Sequence, residues 1–290
     1  MAAFEGRVMR GLQGDEGFLS RIRVPGADAS IGGGAEMRQW MLPMPSLAPY
    51  LAKDWPPGPF RIFSPEHLAA IGTLLAVILV ACLVLRRHEA WRRPFRIGVA
   101  ALLVAQELSY EAWHLHIGDF HAGLHLPFHL CGMAVVLSAV LLLTRHPLLF
   151  EIVYFWGLGG ATQAILTPDL GPYTFPHFRY FHMFLSHGLI WLTVTCMLVV
   201  EGMRLRRGAL SRIVGLTVLW MALAAGINLV TRGNYGFICH KPETASILDL
   251  MGPWPWYLLG MGGLGLVVFG LLALPWWVVE RVRGRRADPA

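Results

Sequence analysis

Apolar runs of about 20 residues recur along the chain, and they limit its fold more than any other feature. A helix of that length crosses the roughly 30 Å hydrocarbon core of a bilayer. Because lipid offers no partners to backbone N–H and C=O groups, only helices and closed barrels span a membrane. The composition agrees, since 55% of the residues are hydrophobic and only 14% are charged. We therefore predict an all-α, polytopic membrane helix bundle.

The predicted bundle has about seven transmembrane helices, counted from the apolar runs. Their approximate ranges are 67–85, 95–116, 126–144, 147–166, 177–200, 211–231 and 254–279. Residues 61–282 should form this transmembrane domain. Residues 1–60 are rich in glycine and have no sustained apolar run, so we expect a disordered or membrane-surface segment. Residues 283–290 should form a short basic tail.

The arginines orient the predicted bundle. They concentrate in the loops after the first, third and fifth helices and in the C-terminal tail, whereas the alternate loops hold few basic residues. The positive-inside rule therefore predicts an outer N-terminus and a cytoplasmic C-terminus. We expect a multi-pass protein of the cell membrane, and its preference for arginine over lysine favours a bacterial inner membrane. These loops explain the net charge of +6, and no nucleic-acid motif is present.

Polar side chains collect at the outer end of the predicted bundle. Glu107, Glu111 and His114 follow an i, i+4, i+7 pattern on the second helix and so share one face. A carboxylate costs about 2.5–3.5 kcal/mol at a helix centre on insertion scales, so such groups need partners or water. A structural network of acids, arginine and histidines is one interpretation, and a substrate site is the other. The remaining residues predicted to line that site are His129, Gln163, Asp169, Arg179, Asn234 and Lys241.

The stretch LHLPFHLCGMAV, residues 124–135, contains a candidate nucleophile. Pro127 is expected to be the first residue of the third helix, where its missing N–H costs nothing. Cys131 then lies about one turn inside that helix. The partial positive charge of a helix N-terminus favours a thiolate there.

A general base for Cys131 must come from another helix. His129 is only two residues away and therefore points to a different face. The fifth helix offers His182 and His187 in its first three turns. Counted from the helix starts, the depth of Cys131 favours His182. A cysteine and a histidine are sufficient for acyl transfer through a thioester.

Three other interpretations use residues at the same end. Cys131 and Cys239 both lie on the predicted outer side, where a disulfide would persist. A retinal protein is excluded, because neither lysine of the chain lies in a predicted span. A metal could be ligated by three histidines spaced by four, although a glycine and a proline interrupt the helical spacing: His121, His125 and His129. We assign no metal site, and no cofactor is predicted because there is no glycine-rich phosphate loop beside a strand.

Four sequence blocks carry a family resemblance. They are LPFHLC (126–131), YFWGLGGATQAILTPDL (154–170), FPHFRYFHMFLSHGLI (175–190) and NYGFICHKPETASILDLMGPWPWYLLG (234–260). Together they resemble the bacterial YwaF-type integral membrane proteins, which are relatives of the eukaryotic transmembrane protein 164 family. The resemblance covers roughly residues 60–282, the whole predicted membrane region.

The resemblance implies a lipid acyltransferase that moves an acyl chain from a donor phospholipid to a lysophospholipid. Its cysteine matches Cys131, and its histidine matches His187 in LSHG, with His182 as the second candidate. Phospholipids would be the substrates, and the site would open to the outer leaflet. The alternative from another class is a non-enzymatic transporter or lipid-binding membrane protein that uses the same polar cavity. Such a protein needs charge and shape but no thiol.

Overall fold

The computed structural model describes residues 47–287 apart from 57, 59 and 243–245, and it leaves out the side chains of 280 and 282–287. The predictions for residues 1–46 and 288–290 lie outside the described residues. Eight α-helices follow one another in this described part of the chain: α1 (Pro65–Arg87), α2 (Arg92–His116), α3 (Leu130–Thr144), α4 (Pro147–Ile152), α5 (Leu158–Leu166), α6 (Phe178–Val199), α7 (Ala209–Thr231) and α8 (Trp256–Ala287). A π-helical turn, Val153–Gly157, joins α4 and α5.

The described chain contains helices and loops but no strand, which confirms the all-α prediction. Because the π-helical turn links α4 to α5, the helices form seven stretches in the predicted order. Among the described residues, five stretches are long and apolar enough to cross a membrane: Pro65–Arg87, Pro147–Leu166, Phe178–Val199, Ala209–Thr231 and Trp256–Val279. The chain is therefore a multi-pass membrane protein.

Two predicted spans do not meet that standard of length and hydropathy, α2 and α3. α2 has 25 residues, and its hydropathy is lowered by two acids and three arginines: Glu107, Glu111, Arg92, Arg93 and Arg96. α3 has only 15 residues, or roughly 22 Å of helix. It is therefore shorter than the roughly 30 Å hydrocarbon core.

The start of α3 differs from the prediction. The helix begins at Leu130, with His129 as its extended N-cap residue, so the expectation that Pro127 opens this helix is wrong. The reason is the close packing of Pro127 on the first turn of α3. A Cβ atom on Gly132 would lie only 3.0 Å from the Cα atom of Pro127, so the approach segment folds back over the helix instead of extending it.

α6 is the central helix of the bundle. It packs against α1, α2, α3 and α5. In its apolar stretch 67% of the residues are buried, compared with 17% in α1, α7 and α8. The outer helices leave large apolar side chains exposed, such as Leu79, Leu223 and Leu271. Apolar side chains at such positions are suited to contact with lipid.

The arginine end of the bundle comprises residues 86–96, 145–151 and 200–212. Glu151 is fully buried, and its carboxylate accepts hydrogen bonds from the guanidinium groups of Arg206 and Arg212 at 2.7–3.2 Å. A second carboxylate, that of Glu201, pairs with two further arginines at 3.0 and 3.1 Å: Arg96 and Arg145. These ion pairs bring together the loops after the first, third and fifth predicted helices, as the antiparallel arrangement requires.

The histidine end, opposite the arginine end, comprises residues 111–129, 167–182 and 232–241. The described part of the predicted N-terminal segment lies on its surface. The indole N–H of Trp113 donates to the carbonyl of Leu51 at 2.8 Å, and the ring of Trp55 packs 5.1 Å from that of His177. These contacts attach residues 48–55 to the membrane domain.

Candidate active site

Cys131 is the second residue of α3, and its thiol is free and half-buried. The sulfur lies against α5. A Cβ atom added to Gly160 would sit 3.0 Å from Sγ of Cys131, so only glycine leaves room for the sulfur at this contact. The sequence predicted a position about one turn inside the helix. The later start of α3 moves the thiol into the first turn of the helix.

The depth of Cys131 in the bundle does not select one histidine. Counting from Leu166 at the end of α5, Gly160 lies roughly 9 Å inside, and the sulfur touches it there. Counting from the start of α6, His182 lies roughly 6 Å inside and His187 roughly 13.5 Å. The two histidines therefore bracket the level of the thiol.

The ring of His187 has one nitrogen engaged. Nδ1 lies 2.8 Å from the carbonyl oxygen of Met183 and 3.1 Å from Oγ of Ser186. A carbonyl oxygen can only accept, so Nδ1 must carry the proton and donate it. Nε2 is then unprotonated in the neutral ring, and no described residue forms a hydrogen bond with it. This tautomer is the one that a general base needs.

His182 has a different environment. It is buried, and its ring stacks on that of Tyr110 with centroids 4.4 Å apart and an interplanar angle of 9°. Both of its nitrogens are buried without a hydrogen-bond partner among the described residues. Stacking therefore holds this ring, and no neighbouring group fixes its tautomer as the carbonyl of Met183 does for His187.

The polar face predicted on α2 is present. Both carboxylate oxygens of Glu111 and both ring nitrogens of His114 are buried without a hydrogen-bond partner in the described chain. The ring of His114 stacks on that of His125 with centroids 3.7 Å apart, and its Nδ1 lies 3.9 Å from the carboxylate of Asp119. Leaving buried polar atoms unpaired costs about 1–3 kcal/mol each. Such a cluster is typical of a ligand-binding site, because a bound ligand can supply the missing hydrogen-bond partners.

Arg179 provides a cation beside this cluster. Its guanidinium carbon lies 4.7 Å from the centroid of the Tyr110 ring, on the face of the ring. No ion pair of the described residues includes Arg179. A half-buried arginine without an acidic partner is suited to bind an anion.

Asn234 instead organises its own loop. Its amide nitrogen donates to the carbonyl of His240 at 2.7 Å, and its amide oxygen accepts from the backbone N–H groups of Cys239 and His240 at 3.0 and 3.2 Å. These bonds use most of the capacity of the amide, and substrate binding by Asn234 stays a prediction. Cys239 is exposed and free, so the alternative disulfide with Cys131 is not formed.

The other predicted site residues are not part of the polar face of α2. His129 packs edge-on to Tyr235 with ring centroids 4.9 Å apart, and burial lowers the pKa of His129. Lys241 lies 5.6 Å from the ring of Tyr257. Two residues are exposed, Gln163 and Asp169. The metal interpretation with His121, His125 and His129 is wrong. The possible metal ligands that converge in the described chain are His114, Asp119 and His125.

Three residues that the sequence prediction left out belong to this end. Tyr110 stands one turn before His114 on the same helical face, and this spacing could have identified it. Asp119 is the only acid of its loop, which was also a usable signal. Tyr235 is fully buried, and its hydroxyl donates to Ala122 at 2.6 Å and accepts from Leu126 N–H at 3.1 Å. No sequence signal indicated that bridge.

Residues 62–273 match the model of the TMEM164 family. The chain is also 31% identical over 223 residues to a protein of Treponema pallidum (strain Nichols) that is described as uncharacterized. The aligned part covers 75% of this chain and 90% of that protein. No solved structure matches the chain significantly. The matched range contains Cys131, both candidate bases and the polar face of α2.

Proposed function

The chain belongs to the TMEM164 family, and from this premise we propose that it is a membrane-embedded lipid acyltransferase. Family membership confirms the resemblance of the four sequence blocks. The proposed reaction moves an acyl chain from a donor phospholipid to a lysophospholipid through a thioester on Cys131. His187 acts as the general base.

One observation carries this proposal. Nδ1 of His187 donates to the carbonyl of Met183, which leaves Nε2 as the acceptor, on a helix that packs against the helix of Cys131. Nucleophile and base therefore come from adjacent helices. The base is oriented by a third group, as in other sites that use an activated thiol. His182 lacks such an orienting bond, so we prefer His187.

The first half-reaction forms the acyl-enzyme. Nε2 of His187 takes the proton of the Cys131 thiol, and the sulfur attacks the ester carbonyl of the donor phospholipid. The bond between the acyl carbon and the glycerol oxygen breaks. The protonated imidazole then gives its proton to that oxygen, so the donor leaves as a lysophospholipid and the acyl group stays on sulfur.

The second half-reaction transfers the acyl group from Cys131 to the acceptor, by the reverse of the first set of steps. The hydroxyl of the acceptor lysophospholipid gives its proton to Nε2 of His187, and its oxygen attacks the thioester carbonyl. The carbon–sulfur bond breaks, and the leaving thiolate of Cys131 recovers the proton. No bond is hydrolysed overall, so the site must keep water from competing with the acceptor.

Two features would hold a phospholipid at this site. Arg179 is a half-buried cation without an acidic partner in the ion pairs of the described chain, and it could bind the phosphate. An apolar groove of about 670 Å³ lies between α1 and α6, with Leu74, Tyr180 and Gly188 in its lining, and it could hold an acyl chain. The groove reaches the residue that follows the proposed base.

The proposed location is the outer leaflet of a bacterial inner membrane. The histidine end lies opposite the arginine end, and the positive-inside rule puts the arginine end in the cytoplasm. Both halves of the substrate would then be taken from the same leaflet.

An acyl-exchange assay tests the proposal. Purified protein in lipid nanodiscs receives a phospholipid with a labelled acyl chain and an unlabelled lysophospholipid, and mass spectrometry follows the label. The wild type should exchange the label, and Cys131→Ala should not. His187→Ala should be slower by about 10²–10⁴-fold. Cys239→Ala, which removes another free thiol at the same end, should keep the wild-type rate. Undiminished exchange by Cys131→Ala would contradict the proposal.

A second candidate function is non-enzymatic binding or transport of a lipid headgroup or small anion. The unpaired groups of Glu111, His114 and His182 favour it, because a polar cavity needs no thiol. Cys131→Ser separates the two functions. A binding protein should keep its affinity for lysophospholipid in this variant, whereas the proposed enzyme should lose its exchange activity. If no phospholipid supports exchange by the wild type, binding becomes the better proposal.

A further inference from the structure

A cluster of three possible metal ligands lies at the histidine end, next to the polar cavity. α2 ends at His116, and the chain turns back at Gly118, which has a left-handed backbone with φ of 68°. This turn brings the loop against the end of α2. One ligand atom from each of His114, Asp119 and His125 lies within 4.8 Å of the others.

His114 gives a second, independent sign of a ligand. It is only 6% exposed, and neither ring nitrogen has a hydrogen-bond partner in the described chain. Its Nδ1 faces the carboxylate of Asp119 at 3.9 Å, which is too long for a hydrogen bond. A buried imidazole is normally hydrogen-bonded through at least one nitrogen. A cation between the ring and the carboxylate would satisfy both groups.

We propose that His114, Asp119 and His125 bind a divalent transition-metal ion of the zinc class. Two imidazoles and one carboxylate match the nitrogen and oxygen donors that zinc takes from proteins. Ligand atoms around a tetrahedral zinc lie closer together than 4.8 Å, and an imidazole binds a metal in the plane of its ring. The ring of His125, which stacks on that of His114 with centroids 3.7 Å apart, therefore turns as the loop closes on the ion. Three protein ligands leave one coordination position for water or an anion.

The groups around His114, Asp119 and His125 determine the metal affinity that we expect. Nδ1 of His125 accepts a hydrogen bond from the backbone N–H of His121 at 2.9 Å, but this bond is exposed, so water can replace it when the ring turns to the metal. Lys53 lies 3.7 Å from the other oxygen of Asp119. A neighbouring cation weakens metal binding. We therefore expect an affinity weaker than that of an all-cysteine structural site.

A metal bound at this site would fix the position of the loop between α2 and α3. Asp119 and His125 belong to the loop that leads into α3, and His114 belongs to α2. A bound ion would tie that loop to α2 and so fix the approach to Cys131. This inference does not depend on the acyltransferase proposal, because it needs neither the thiol nor a lipid substrate.

Metal titration of the purified full chain tests the site. The protein is prepared without a polyhistidine tag, stripped with a chelator and titrated with Co²⁺ and Zn²⁺. Tetrahedral Co²⁺ is identified by its visible absorption, and bound Zn²⁺ is measured by elemental analysis. The wild type should bind one equivalent of either metal. Changes around a zinc site cost about 10–100-fold in affinity, so His114→Ala should cost at least about tenfold.

Matched variants distinguish this site from adventitious binding. His116→Ala removes an exposed histidine at the end of the same helix, and Cys239→Ser removes the exposed thiol, so both should bind as the wild type does. Asp119→Asn keeps the shape of the side chain and should also weaken binding if the protein folds normally. Zn²⁺ should raise the unfolding temperature of the wild type but not that of Asp119→Asn. Equal affinity in the wild type and Asp119→Asn, or no binding by the wild type, would overturn the proposal.

Discussion

Gly160→Ala is the substitution that tests the contact between α3 and α5 at the thiol. The added Cβ atom would stand 3.0 Å from Sγ of Cys131. Ordinary non-bonded contacts lie at about 3.5–4.0 Å, so the sulfur must move by roughly 0.5–1 Å. Because Gly160 lies inside a helix, the alanine itself adds about 0.5–1 kcal/mol of helix stability. This gain offsets part of the crowding, which typically costs about 1–3 kcal/mol.

The expected effect is therefore on rate more than on stability. A misplacement of about 1 Å can cost about 10²-fold in rate, so acyl exchange by Gly160→Ala should fall by roughly 10–100-fold. The assay is lipid exchange in nanodiscs, with thermal unfolding measured on the same preparations. Gly226→Ala is the matched control, because its Cβ would meet nothing within 4 Å in α7. A folded Gly160→Ala protein that exchanges acyl chains at the wild-type rate would refute the reasoning.

Three further predictions concern the ends of the bundle. Glu151→Gln removes a buried negative charge from two partly exposed arginines, so the free energy of unfolding should fall by about 1–3 kcal/mol, less than for a fully buried pair. Burial lowers the pKa of His177, so this residue should destabilise the fold as the pH falls below about 6.5, and His177→Gln should reduce that loss of thermal stability. In a protein without native cysteines, Ala90→Cys and Ala122→Cys each introduce a single thiol. An impermeant maleimide added to intact cells should label the thiol at position 122 but not the one at position 90.

Each of these predictions has a control and a contrary result. Glu89→Gln removes an acid that is 80% exposed, and it should change the free energy of unfolding by less than about 1 kcal/mol. If Glu151→Gln lowers the free energy of unfolding by no more than Glu89→Gln does, the burial of Glu151 does not contribute to stability. His116→Gln changes an exposed histidine and should keep the wild-type dependence on pH. Labelling at Ala90 but not at Ala122 would reverse the proposed orientation.

The helices could be predicted from the sequence because a membrane-spanning helix requires a long run of apolar residues. The five most apolar stretches agree with the prediction to within a few residues at most ends. The start of α3 could not be predicted. A proline before a helix is ordinarily a sign of its first position, and this preference does not indicate that Pro127 packs on Gly132, five positions later.

The candidate site was predictable only where its residues share one helix. The i, i+4, i+7 spacing identified the polar face of α2, including Glu111 and His114. The pairing of His114 with Asp119 depends on the turn at Gly118, and spacing along a helix does not describe a loop that folds back. Similarly, the ion pairs of Glu151 join residues more than 50 positions apart, which no local pattern indicates.

Chemical capture of the acyl-enzyme tests the central claim most directly. The purified protein is incubated with a phospholipid that carries a labelled acyl chain, denatured and digested, and the label is located by mass spectrometry. The account predicts a hydroxylamine-sensitive label on the peptide that contains Cys131, formed more slowly in His187→Ala and absent in Cys131→Ala. Exchange by the wild type without any label on that peptide would contradict a covalent mechanism.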